Sequence, residues 1–346
     1  MKAAVLRAPD DFVLQDMPTP SAGPGELILK VKAATVCGTD IRILRGRKTK
    51  GVRFPSVLGH EFAGEVVEVG AGVSQFSCGD AVSVNPVMPC RRCAYCKTGR
   101  ENVCLNRQAI GYEFDGAYAE YLKVPALALE SGNAVKIPQG MAYEAAALAE
   151  PLACCINGMR NVGVNLGDVV VILGAGPIGL MHAALARRAG ARLVIMSEPN
   201  EMRRQAALDR GVDLAFDPTK EDLAGAIRDV TDGLGADAAI LAIGVPALAN
   251  EALKLVRKGG RVNLFAGFSA GDMATFDVNL VHYNEITVTG ASALRRQDYE
   301  TALNLLAGGL IDANSLVTHR FELGDAVEAL KEAESGRALK VAIRND

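Results

Sequence analysis

The spacing of apolar residues changes character along the chain. From Met1 to about Glu130 the apolar runs are short and β-branched, as in Leu27-Ile28-Leu29-Lys30-Val31 and Gly64-Glu65-Val66-Val67-Glu68-Val69, and Gly and Pro interrupt them often. Such runs predict antiparallel strands cut by turns. From about Met141 the pattern alternates strand with helix. Val169-Val170-Val171-Ile172-Leu173 is followed by an Ala-rich helix after Pro177, then by Leu193-Val194-Ile195-Met196 and a helix over Glu201 to Arg210. Further strands are expected at Ala238–Ala242, Arg261–Phe265 and Ile286–Thr289. This alternation predicts a doubly wound parallel sheet, an α/β unit joined to a β-rich one. After Ser292 come one more helix, Tyr299 to Ala307, and a closing strand, Leu339-Lys340-Val341-Ala342-Ile343, free to return to the first region.

A chain of 346 residues with 49% hydrophobic and 22% charged positions has room for two ordinary domains. Its formal net charge of −3 supplies no global cationic field, so nucleic acid and anionic membranes are not expected partners. The apolar run at Met1–Leu6 is too short for a signal peptide, and no stretch approaches about 18 uninterrupted apolar residues. A cytoplasmic location is therefore expected. Eight cysteines, four of them between Cys90 and Cys104, suit metal thiolates in a reducing compartment better than a disulfide scaffold.

Gly174-Ala175-Gly176-Pro177-Ile178-Gly179 follows a five-residue apolar strand and opens a helix. Gly174 permits a tight turn, Gly176 lets the backbone approach a pyrophosphate, Gly179 allows close packing, and the helix start at Pro177-Ile178 attracts phosphate charge. Glu198 ends the next strand, 19 residues after Gly179, where a carboxylate accepts ribose hydroxyls and repels a 2′-phosphate. NAD is favoured on that ground. Arg203 and Arg204, close by, keep NADP open, and Glu198 could equally be a solvated strand-end carboxylate.

Cys90, Cys93, Cys96 and Cys104 lie in a lobe of about residues 86–108 and can close a four-thiolate zinc site with no open position. Reactive thiols or an iron–sulfur cluster are the competing readings, and the spacing is not one of the usual cluster runs. A second metal site is suggested by residues far apart: Cys37, His60-Glu61 and Glu150. Catalytic zinc takes about three mixed ligands and leaves a position for substrate. Taken singly, Cys37 reads as a small buried hydrophobe, His60 as a turn residue, and Glu150 as a helix-start carboxylate before Pro151. Cys78, His182 and His282 have no partner pattern, Cys154-Cys155 reads as core, and His319 as structural.

Six ordered motifs carry a resemblance over the whole chain: Cys37-Gly38-Thr39-Asp40, Gly59-His60-Glu61, the four-cysteine lobe, Glu150-Pro151-Leu152-Ala153, the glycine turn, and Leu316-Val317-Thr318-His319-Arg320-Phe321. The chain resembles the zinc-containing medium-chain dehydrogenases, in the polyol (sorbitol) and threonine dehydrogenase branch. The resemblance implies a β-rich GroES-like catalytic domain over 1–147 and 287–346 and a Rossmann NAD-binding domain over 148–286. It also implies two zinc ions per chain and a homodimer or homotetramer. Cys37 and His60 would bind the catalytic zinc, Glu61 would ligate directly or through water, and Glu150 would stand where simpler alcohol dehydrogenases carry a cysteine. Thr39 would begin a proton relay, and Arg295 would lie near substrate. The implied reaction is oxidation of a secondary alcohol of a polyol or sugar-derived substrate by NAD. Threonine or butanediol oxidation is the alternative, and a non-enzymatic NAD-binding protein comes last.

One departure stands out. Many relatives carry a histidine five residues beyond the zinc cysteine, where this chain has Arg42, and a guanidinium is no base near neutral pH. The loop Arg45-Gly46-Arg47-Lys48-Thr49-Lys50-Gly51-Val52-Arg53 carries five cations and no acid. It is either a solvated loop or a device for an anionic sugar acid or sugar phosphate.

Overall fold

The computed structural model describes residues 1–269 and 271–345. It divides into two compact units, Met1–Ala153 with Ala293–Asp346, and Cys154–Ser292.

The first unit is organised around strand Leu27–Thr35, buried along most of its length. Three strands pair with it antiparallel: Glu61–Val69, Tyr121–Val124 and the closing strand Lys340–Arg344. The closing strand also runs parallel to Val317–Glu322. Both neighbours meet the same end of the central strand, where Thr35 pairs with Glu61 on one side and Ala342 on the other. Residues from the beginning and the end of the chain thus arrive at one point. Leu27, Leu29, Ile43, Leu58, Phe62, Val66, Tyr118, Leu122, Leu330 and Ile343 share one apolar core beneath it. Each such side chain stabilises the unit by about 1.5–3 kcal/mol.

The second unit is a six-stranded parallel sheet in the order Leu214–Phe216, Leu193–Ser197, Val169–Leu173, Ala236–Leu241, Val256–Leu264, Thr287–Gly290. The order reverses between Val169–Leu173 and Ala236–Leu241, and ligands of such sheets sit beyond the carboxyl ends of the strands at that reversal. The glycine turn begins there.

The expected strands and helices of this region are present. The sequence reading passed over strand Leu214–Phe216, which at three residues has no period to read. It also passed over helices Ala247–Leu255 and Ala326–Ser335, whose alanine-rich apolar faces look weak until packed. Among the described residues no helix is long and apolar enough to cross a membrane.

Candidate metal centres and nucleotide site

The chain leaves strand Leu27–Thr35 and turns at Cys37 into helix Gly38–Leu44. Cys37 caps that helix in extended backbone, and its Sγ accepts from the Thr39 amide at 3.4 Å. The Asp40 carboxylate reaches back to the Cys37 amide at 3.0 Å, which pins the turn and the thiol direction together. Gly59, at φ +96°, introduces His60, and a Cβ there would fall 2.7 Å from the Tyr118 ring. Only glycine fits.

His60 is buried, its ring 5.3 Å from that of Tyr112. Its Nδ1 lies 3.2 Å from Asp40 Oδ1, out of line for a good hydrogen bond. Asp40 Oδ2 accepts from Tyr118 Oη at 2.7 Å. A carboxylate on one imidazole nitrogen orients the ring and leaves the other for a metal. Burial works against a charged imidazole, yet the fields of Tyr112, Asp40 and Cys37 outweigh it and raise the His60 pKa well above its ordinary value. The same negative surroundings would favour a metal cation in the proton's place, since an imidazole ligates only after losing its proton.

Glu61 begins its strand opposite Thr35 and is fully buried. It accepts from the Thr35 hydroxyl, and Lys340 Nζ lies 2.8 and 2.6 Å from its two oxygens. Lys340 is itself buried; burial disfavours its charge, but Glu61 and Cys37 more than restore it, so its pKa is raised. A buried ion pair of this kind costs desolvation and persists only when the partners are well matched.

One ligand atom each of Cys37, His60 and Glu61 lies within 4.8 Å of the others. Glu150 is outside that group. It is buried in the first turn of helix Ala149–Val162, and its charge is felt by Lys340, Tyr112 and Tyr299. Thr39 stands next to the group, its Oγ1 accepting from Arg42 at 3.0 Å. Arg295 heads helix Arg296–Ala307, donates its amide to Asp298 at 3.0 Å and keeps a buried Nε without a hydrogen-bond partner among the described residues.

The cysteine lobe has a different construction. Cys90, Cys93, Cys96 and Cys104 bring their sulfurs within 4.8 Å of one another, with 3.5 Å between Cys93 and Cys96 and 3.8 Å between Cys93 and Cys104. Zinc–sulfur bonds of about 2.3 Å in a tetrahedron require edges of about 3.8 Å, so the donor set fits that ion. The amides of Cys90 and Asn106 donate to Cys104 Sγ at 3.2 and 3.4 Å. Amides of Arg92 and Cys93 bring the Cys90 thiol down to about 6, whereas burial pushes Cys96 up to about 12. Helix Ala94–Lys97 inside the lobe buries no side chain, so a bound metal would supply the cohesion that a core would otherwise give.

In the second unit Gly174 takes φ +104° at the end of its strand. A Cβ on Gly179 would lie 1.9 Å from the Gly174 carbonyl oxygen, whereas one on Gly176 would meet open space. Gly176 caps helix Pro177–Arg188, with Pro177 and then Ile178 in its first turn. Glu198 is buried, accepting from the amides of Ala175 at 2.9 Å and Asn200 at 3.0 Å. Its carboxylate therefore sits against the phosphate turn and is not a solvated strand end. Arg203 lies in the first turn of helix Glu201–Leu208, its amide donating to the Asn200 side chain. Arg204 is committed to the carbonyls of Glu198 and Pro199 and to Asp217.

The loop of five cations is divided by the structure. Arg45 is held by Asp10 and Glu334, and Arg53 by Asp115, so two of the five are fastenings. Sequence reasoning also missed residues that build the centre. Asp40 was visible beside the cysteine but had no assigned task. Lys340 had a signal, a lysine inside an apolar strand. Tyr112, Tyr118 and Thr35 had none.

A glycine-turn parallel sheet and a mixed-ligand metal centre define the chain as a zinc-dependent, nicotinamide-linked dehydrogenase. The family descriptions agree: residues 23–139 match the alcohol dehydrogenase GroES-like domain and residues 177–308 the zinc-binding dehydrogenase domain. The chain belongs to the zinc-binding alcohol dehydrogenase family, in the branch of polyol and threonine dehydrogenases. It is 34% identical to sorbitol dehydrogenase of Halalkalibacterium halodurans, over 96% of this chain and 95% of the relative. It is 34% identical to D-arabitol-phosphate dehydrogenase of Enterococcus avium, over 100% and 98%. Its structure resembles that of a zinc-binding dehydrogenase from Sinorhizobium meliloti 1021 bound to NADP, with TM-score 0.93 and 32% identity over 99% of both chains.

Proposed function

We propose that the protein oxidises a secondary alcohol of a polyol or sugar-derived substrate and passes hydride to NAD. The observation that carries this reading is the convergence of Cys37, His60 and Glu61 within 4.8 Å, with Asp40 behind the histidine. Cys37 and His60 would hold the catalytic zinc and Glu150 would approach it from its helix. Glu61, engaged by Lys340 and Thr35, would reach it only by leaving that pair. Cys90, Cys93, Cys96 and Cys104 would hold the structural zinc.

When bound, zinc supplies the Lewis acidity that makes an alcohol hydroxyl acidic, and NAD supplies the hydride acceptor. The chain's own part is to place and neutralise. Thr39 accepts one hydrogen bond from Arg42, which leaves a second lone pair for the substrate proton and its own hydrogen to hand onward. Arg42 cannot take that proton, so it would fix the rotamer of Thr39 and leave the onward transfer to water. Arg295 would meet a substrate hydroxyl or its water. Gly174, Gly176, Pro177, Ile178 and Gly179 would receive the pyrophosphate.

NAD is preferred here to NADP because Glu198 places a negative charge beside the turn and Arg204 is committed elsewhere. Residues 1–147 with 287–346 would form the catalytic domain and 148–286 the NAD domain. A cytoplasmic homodimer or homotetramer completes the proposal. The test is NADH formation by zinc-loaded protein over pentitols, hexitols, threonine and 2,3-butanediol. Oxidation of the polyols above the other two supports the reading, and oxidation of threonine alone overturns it.

A further inference from the structure

With Arg45 and Arg53 committed to carboxylates, the cationic loop reduces to Arg47, Lys48 and Lys50, and of these Lys48 is half-buried while the others are exposed. Lys48 Nζ stands 4.7 Å above the Tyr112 ring, and Tyr112 in turn packs on His60. The ammonium donates to the Lys50 carbonyl at 3.2 Å and makes no salt bridge among the described residues. The nearest charges are mostly of its own sign. Burial acts first against its protonation, then the fields of Arg107, Arg42 and Lys50, with Glu113 the opposing one, and its pKa is lowered.

A cation held where burial and like charges disfavour it is stabilised by whatever anion arrives. A phosphate monoester suits it better than a carboxylate, because it brings nearly two charges and three acceptor oxygens to several donors at once. Tyr112 touches both partners, with the ammonium 4.7 Å from its ring centre and the His60 ring 5.3 Å away, and Thr39 ties the Arg42 end of the cluster to the metal centre.

We propose that Lys48, with Arg107 and Arg42 around it, forms a subsite for the terminal phosphate of a phosphorylated polyol whose secondary hydroxyl lies at the Cys37–His60 centre. The subsite rests on the polyol reading given above and narrows it to one substrate class. Lys48 is a binding residue in this account, Tyr112 is its platform, and Arg45 and Arg53 anchor the loop that carries it.

The experiment compares zinc-loaded enzyme on neutral pentitols and hexitols, their terminal monophosphates and the corresponding sugar acids. The phosphates are expected to have the highest kcat/KM. In Lys48→Met the ratio of phosphate to neutral kcat/KM should fall by about 10- to 100-fold, chiefly through KM, as expected for one lost charge-assisted bond. Lys48→Arg should retain most of the ratio, and Arg53→Met should leave it within about twofold as for a screened surface pair. A sugar-acid preference, or an equal loss on neutral and phosphorylated substrates in Lys48→Met, overturns the phosphate subsite while the polyol reading stands. If no polyol of any kind is oxidised, that reading fails, and calorimetric titration with inorganic phosphate still decides the subsite. Binding by the wild type that weakens in Lys48→Met supports it, and no binding, or equal binding by both, overturns it.

Discussion

The two thiol-bearing centres of the first unit are built in opposite ways. The cysteine lobe draws four sulfurs from fifteen consecutive residues, Cys90 to Cys104, and surrounds them with almost no core. The Cys37 centre draws its groups from three strands and a helix that meet only in the folded sheet: Thr35 and Cys37, His60 and Glu61, and Lys340 from near the end of the chain. A closed set of four soft ligands serves cohesion. A mixed set of thiolate and imidazole, with a carboxylate held in reserve by Lys340 and the imidazole backed by Asp40, would leave a coordination position for a reacting oxygen. Where the ligands come from therefore tells what each ion does.

The sharpest way to break the comparison is to remove one ligand from each centre. Cys37→Ser should lower kcat/KM for the best alcohol by about 10³-fold or more, the loss of several kcal/mol of Lewis-acid assistance. The variant should keep its melting temperature and one of its two zinc ions. Cys96→Ser should do the reverse, losing the lobe's ion and several kcal/mol of unfolding free energy, read by thermal melts and metal analysis.

Acid stability sharpens the same comparison, because low pH protonates ligands at both centres and a metal-independent acid limb must be separated from that. His182 supplies one in the second unit. It is fully buried against Phe265, both ring nitrogens lack partners among the described residues, and burial holds its pKa at about 3. Unfolded, the ring returns to about 6.5 and takes up a proton that the folded state refuses, so its stabilisation is complete above that value and declines as pH falls toward 3. Between about pH 7 and about pH 4.5, His182→Leu should lose less stability than wild type by about 2–3 kcal/mol, measured by denaturant titration at each pH.

Smaller effects follow from the residues behind the ligands. Asp40→Asn should weaken metal affinity or kcat by about 10- to 100-fold while the lobe's zinc is unaffected, since a neutral amide orients His60 but no longer supports its basicity. Glu198→Gln should improve NADP relative to NAD by about tenfold in kcat/KM, the smallest change of the set, because it removes one negative charge beside the turn while keeping one of the two amide hydrogen bonds that Glu198 accepts.

The legibility of the sequence follows the same division. The cysteine lobe and the glycine turn are local, so residue type and spacing reveal them, and the strand–helix alternation of the second unit is likewise a local period. Cys37, His60 and Glu61 could be suspected singly, but their meeting depends on the register Thr35 to Glu61 and Thr35 to Ala342, which no short window contains. Lys340 looked like an interruption of an apolar strand until its partner came into view. The cations of the loop could not be told apart in sequence, because Asp10, Asp115 and Glu334, which engage Arg45 and Arg53, lie far away along the chain.

The most direct test is stepwise zinc removal by a chelator, with bound metal, NADH formation and melting temperature followed together. The account predicts that the first ion to leave takes all activity with it and shifts the melting temperature by no more than a few degrees, while the second leaves only as the lobe unfolds. Full activity with one ion gone and the melting temperature collapsed, or activity that survives loss of both, would contradict it.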